Sequence, residues 1–205
     1  MVILILAKKS QIKSIFKEVL SLRIIGIDPG LRHTGWGIVE FKNNKLIYIG
    51  DGTISPSTSI SDGKRLFFIK NQLSQIISKY SPNKSAIEQI FVGFGAGSSL
   101  KLGMARGVSM SVLAESGLDI TEIPPKLVKK TITGYGSASK QQITSMIEKL
   151  LSVLPKNEDS ADALAIAISA HHIGDDYTAS NLQQANNSLD IAIAKALLKE
   201  KRNNN

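Results

Sequence analysis

Apolar positions along this chain fall into two rhythms, and their order predicts the architecture. Arg23–Asp28 is a short apolar run. Trp36–Phe41 and Leu46–Thr53 are two more, joined by Lys42-Asn43-Asn44-Lys45, a hairpin turn signal. Over Ser61–Tyr80, Leu66, Ile69, Leu73, Ile76 and Ile77 recur at three or four, predicting a helix that Pro82 bars from continuing. Ser85–Ile90 reads as a buried strand, Phe91–Gly97 as a glycine-rich loop and Ser98–Glu115 as a long helix. Leu118–Ile123 predicts a strand stopped by Pro124-Pro125, and a short helix covers about 126–132. After the loop Gly134-Tyr135-Gly136, helices are expected over Lys140–Leu151 and Asp159–His172. Three meandering strands followed by alternating helix and strand predict an α/β fold: a mixed sheet of about five strands with helices on both faces.

The ends depart from this rhythm. Residues 1–21 read as an appendage, with Ile12, Ile15, Phe16, Val19 and Leu20 at helical spacing around Lys13 and Lys17. The apolar stretch Met1–Ala7 is short, no basic residue precedes it, and Lys8-Lys9 follow at once without a small-residue cleavage site. Secretion is therefore not expected. From 174 to 205 the chain turns polar, with one amphipathic stretch over Ser188–Lys201. The domain is expected to span 22–173.

Composition narrows the partners. With 205 residues the chain holds one well-cored domain. No apolar run reaches the roughly 18 residues of a membrane span. There is no cysteine, which excludes disulfides, thiolate metal sites and a thiol nucleophile, and suits the cytoplasm. A net charge of +8 points to a polyanion, nucleic acid before membrane.

Four acids stand in unusual surroundings. Asp28 ends a strand before Pro29-Gly30, where open α/β sheets place their sites; taken alone, it reads better as the start of a turn. Glu88 interrupts the apolar run Ala86-Ile87-Glu88-Gln89-Ile90. It is either buried, at several kcal/mol unless compensated, or directed off the face opposite Ile87. Asp159 and Asp162 share one face of a first helical turn, where the helix dipole favours ionised carboxylates and ordinary capping is frequent. That helix is apolar nearly all round, so it is expected to be buried together with them. Carboxylates without cysteine describe a site for hard cations, Mg²⁺ or Mn²⁺. Two such ions about 4 Å apart can activate water and stabilise the leaving oxygen of a phosphodiester. His33, His171 and His172 show no partner spacing and read as solvated or capping residues.

Several segments carry a resemblance. They are Gly26-Ile27-Asp28-Pro29-Gly30, Thr34-Gly35-Trp36-Gly37, Ala86-Ile87-Glu88-Gln89, Leu100-Lys101-Leu102-Gly103, Ala105-Arg106-Gly107, Gly134 to Lys140, and Asp159-Ser160-Ala161-Asp162-Ala163. In order and spacing they resemble the RuvC family of bacterial Holliday junction resolvases, with its ribonuclease-H-like fold. The resemblance implies paired, symmetric nicks across a four-way DNA junction in recombination and repair, leaving 5′-phosphate and 3′-hydroxyl ends. It implies that Asp28, Glu88, Asp159 and Asp162 hold two Mg²⁺ ions, with Mn²⁺ a substitute. It places Lys129 and Lys140 near the scissile phosphate and Phe91 on junction bases. A homodimer is implied, and the RuvA–RuvB branch-migration complex is a candidate partner. Gly103 and Gly107, one turn apart among aliphatic residues, make Ser98–Glu115 the expected interface helix, with Lys101 and Arg106 on the DNA side. The sequence departs from the family at Val92–Gly97, where an Asn and often a basic residue are usual, and at Met104, where Gln is usual. The first phosphate loop of the actin and sugar-kinase ATPases is also similar to Gly26–Gly35, but those enzymes need a second such domain, for which this chain has no room.

Overall fold

The computed structural model describes residues 21–90 and 96–173. Phe91 and the residues behind it, the appendage before Ser21 and the amphipathic stretch 188–201 lie outside the described residues.

Five strands form one mixed sheet: β1 (Ser21–Asp28), β2 (Thr34–Lys42), β3 (Lys45–Ile54), β4 (Lys84–Glu88) and β5 (Ile120–Ile123). Their order is β3-β2-β1-β4-β5. The first three meander antiparallel, whereas β4 and β5 run parallel to β1. The hairpin turns on Asn43 and Asn44, both with positive φ (51° and 59°), the two-residue geometry that matches strand twist. Five helices stand among the described residues: α1 (Asp62–Tyr80), α2 (Ala96–Glu115), α3 (Pro125–Thr133), α4 (Lys140–Leu151) and α5 (Glu158–Ile173). No described helix is long and apolar enough to cross a membrane.

Strand alternation sorts the two faces. Ile25 and Ile27 of β1 and Ile87 of β4 join Ile69 and Leu73 of α1 and Val112 and Leu113 of α2 in one core. The opposite face carries Ile24, Gly26 and Asp28 of β1 with Ala86 and Glu88 of β4, and α5 lies on it. The contact there is backbone on backbone. A methyl group at Gly26 would sit 2.1 Å from the Ala163 carbonyl oxygen, one at Gly35 2.1 Å from that of Asp159, and one at Gly37 2.6 Å from the Leu164 nitrogen. Gly26 pairs with Gly37 across the β1–β2 ladder, and Asp28 with Gly35. The three glycines therefore make one smooth floor, and the helix on it can only be Ala-rich.

Several element ends differ from expectation, three of them with a clear local setting. β1 begins at Ser21, not Arg23: Ser21 pairs with Lys42, and its hydroxyl donates to Glu40, which Arg23 also binds at 2.9 Å. Ser21 is thus part of the sheet. β4 stops at Glu88 instead of running to Ile90. β5 starts at Ile120 because Leu118 belongs to the end of α2. Gly117 there has φ +72°, its N–H donates to the Ala114 carbonyl, and that of Leu118 to the Leu113 carbonyl at 3.1 Å. This is a Schellman closure, and the Leu118 side chain goes into the core.

Candidate active site

Parallel neighbours β1 and β4 end together. Ile27 pairs with Ile87, so Asp28 and Glu88 are the next residues on adjacent strands, at the carboxyl edge and on the α5 face. The glycine floor then fixes where α5 starts, and its first turns bring Asp159 and Asp162 to the same edge. The start of α5 is also pinned from β3. The buried carboxylate of Asp51 accepts from the Lys156 N–H at 2.8 Å and from the Tyr48 hydroxyl at 2.6 Å. Thr53 donates to Asn157, whose side chain caps Ser160 N–H.

Asp28, Glu88 and Asp162 line one cavity of about 230 Å³ with Lys129, Lys140, Val128, Ile143 and Ile166. Lys129 comes from α3, and Lys140 from the first turn of α4, which a capping box of Ser139 and Gln142 starts at that point. Lys140 Nζ lies 3.3 Å from Asp162 Oδ2. Burial, then Glu88, Asp162 and Asp159, push the Asp28 carboxyl up to about 8, against which Lys140 pulls. Glu88 is raised by burial and then by Asp162, opposed by Lys140 and Lys129. Asp162 is raised by burial and lowered by Lys140. Lys140 is itself raised, chiefly by Asp162. The structure thus gathers three of the four expected acids and both expected lysines in one space. Asp159 acts electrostatically on Asp28 and Asp162 while bordering a neighbouring groove.

Other residues singled out in the sequence sit elsewhere. Lys101 lies in that neighbouring groove, its ammonium 3.4 Å from Asp62. Arg106 is engaged within the protein: its Nε donates to the Glu88 carbonyl at 3.3 Å and its Nη2 pairs with Glu122 of β5. It braces the end of β4. His171 stacks on Phe41, centroids 3.6 Å apart, at the opposite end of β2 from Gly35. His33 shares a hydrogen bond of 2.9 Å with Ser55. Sequence reasoning missed Asp51 and Asn157 as pins of α5. It also missed the purpose of the glycines, although Gly35 and Gly37, two apart in an apolar strand, already share a face.

Comparison with known proteins agrees with this geometry. The family described as "Crossover junction endodeoxyribonuclease RuvC" matches residues 24–171. The RuvC of Rhodopseudomonas palustris (strain BisA53) is 47% identical over 153 residues, which are 74% of this chain and 88% of that protein. The RuvC of Azorhizobium caulinodans is 46% identical over 155 residues, 75% of this chain and 92% of its own. Among solved structures, T. thermophilus RuvC in complex with a Holliday junction substrate superposes with a TM-score of 0.67 at 27% identity, covering 72% of this chain and 92% of that one. An acid-lined cavity at the carboxyl edge of a five-stranded mixed sheet, together with a match across the whole sheet, places this chain in the RuvC family of crossover junction endodeoxyribonucleases.

Proposed function

We propose that this crossover junction endodeoxyribonuclease cuts with Asp28, Glu88, Asp159 and Asp162 as ligands of Mg²⁺ or Mn²⁺, two ions per site, and with Lys129 and Lys140 on the scissile phosphate. The observation that carries this reading is the shared cavity, in which three acids and two lysines meet at the ends of β1, β4 and α5. The donors suit a hard divalent cation, being carboxylate oxygens alone. The rise of Asp28 to about 8 marks negative charge that burial and its neighbours leave uncompensated. Among the described residues no three acidic or histidine side chains converge on one point. When bound, the ions would activate water and stabilise the leaving oxygen. The chain's own part is positional. The glycine floor holds two acids against the other two, and Lys140 can exchange Asp162 for a phosphate.

The substrate in this reading is a four-way junction, nicked symmetrically to leave 5′-phosphate and 3′-hydroxyl ends. The junction-bound T. thermophilus relative supports that choice. Phe91 is assigned to stacking on junction bases. A homodimer supplies the second cut, with α2 as the interface: Leu100 is 65% exposed, Met104 is 36% exposed, and Gly103 and Gly107 face open space. Replacing each acid by its amide tests the chemistry on a synthetic junction beside linear duplex, with and without Mg²⁺. Cutting should fall by orders of magnitude while junction binding survives. Near-normal cutting by Asp28→Asn would reject the assignment.

A further inference from the structure

Asp159 does not line the cavity of the other three acids. It borders a second groove, of about 590 Å³, which shares no lining residue with the first. Arg32, His33, Arg65, Lys101 and Leu102 line it. The four permanent or potential cations there are not equivalent. Arg65 is buried and spent on Asp62 at 3.1 Å and on the Leu31 carbonyl at 2.8 Å. Lys101 shares the same Asp62 at 3.4 Å, between two exposed side chains, a contact of little energy. His33 is tied to Ser55. Arg32 is exposed and has no partner among the described residues.

An unpaired surface arginine is ordinary, but the turn that carries this one is rigid. Thr34 Oγ1 donates to the Gly30 carbonyl at 2.7 Å, Leu31 is buried in the core, and Arg65 holds the Leu31 carbonyl. The guanidinium is thus presented from a fixed backbone, four residues after Asp28. A strand whose scissile phosphate sits over the acids must continue on both sides of them. Lys129 and Lys140 reach the scissile phosphate itself from one side, in the first cavity. The other side needs cationic groups in the groove beyond Asp159.

We propose that this groove is a second track for the DNA backbone, in which Arg32, assisted by Lys101, grips a phosphodiester of the cut strand on the side of the scissile phosphate away from Lys129 and Lys140. A guanidinium suits that task, because its planar fork matches two phosphate oxygens at once. The inference rests on the assignment of the acid cavity as the cutting site.

The test couples the arginine to a single phosphate. Four-way junctions are made with one neutral methylphosphonate at each phosphate in turn around the mapped cut. Binding without metal and cutting with Mg²⁺ are measured for the parent, Arg32→Ala, Arg32→Lys and Lys129→Ala. Arg32→Ala should weaken junction binding about tenfold and flatten its salt dependence by about one unit, with an unchanged melting temperature. At one methylphosphonate position the parent should lose the same factor and Arg32→Ala lose nothing further. That position must lie to one side of the scissile phosphate and differ from the one that couples to Lys129→Ala. Parent-like binding by Arg32→Ala at every salt concentration would overturn the proposal. So would additive losses at every position, or coupling at the same phosphate as Lys129→Ala. If the parent cuts no junction, the cavity assignment fails instead, while coupling in metal-free binding still reports on the groove.

Discussion

Single residues carry the chemistry, and their roles were unevenly legible. Glu88 stood out because a carboxylate within an apolar strand needs a reason, and the pair Asp159 and Asp162 because their helix is apolar nearly all round. Arg106 was not legible in this way. Its partners Glu88 and Glu122 lie 18 and 16 positions off along the chain, and only the stacking of α2 over β4 and β5 brings them to its guanidinium. The most informative residue is Asp28, whose carboxyl is raised from 3.8 to about 8, by burial first and by the other three acids next. Between those values the folded, metal-free protein holds a proton that the unfolded chain has released. Stability of the metal-free protein should therefore fall as pH rises through that window. Cation binding must expel the same proton, so the gain in melting temperature on adding Mg²⁺ should grow with pH. Melting curves in EDTA and in Mg²⁺ from about pH 5 to about pH 9 measure both. Asp28→Asn should flatten the metal-free decline; an equal decline in that variant would show that another group is responsible.

At the scale of elements, rhythm and punctuation carried far. Every described strand and helix is legible in the sequence, because apolar periodicity separates period two from period 3.6 and Pro82, Pro124 and Pro125 mark where chains must turn. The ends were harder to read. Leu118 looks like the first residue of a strand, but Gly117 at positive φ folds it back onto α2, and no local pattern distinguishes the two. The floor under α5 was hidden for a related reason. Strand glycines alone read as weak points, and their use appears only when a helix backbone lies across them. Gly35→Ala should displace the start of α5, since the added carbon would stand 2.1 Å from a backbone oxygen. We expect a loss above about 2 kcal/mol in urea melts, together with a large drop in cutting. Gly63→Ala is the control: a methyl group there meets open space on helix α1, and stability should rise by up to about 1 kcal/mol. Equal stability for Gly35→Ala and the parent would remove the floor from the account of the site.

At the scale of the molecule, a charge of +8 was the first hint of a polyanion, and the cationic groups lie where acids alone would repel DNA. Assembly was the least legible level, because a dimer face is defined by what the single chain leaves uncovered. Val112 and Leu113, on the same helix as Gly103 and Gly107, are buried in the chain's own core, whereas Leu100, Met104 and Gly107 remain outside. Gly107→Leu should therefore shift a dimer near twice 22.1 kDa toward monomer in sedimentation, leaving the fold intact and turning paired cuts into single nicks. A parent that sediments as monomer at micromolar concentration while still cutting in pairs would rule this out. The division of the acids between β1, β4 and α5 has one more consequence, for the order in which the protein is made. Asp28 and Glu88 leave the ribosome early, whereas Asp159 and Asp162 join them only once the last core helix has emerged and docked on its floor. A chain still being synthesised therefore holds only half of the acids proposed to bind the metal.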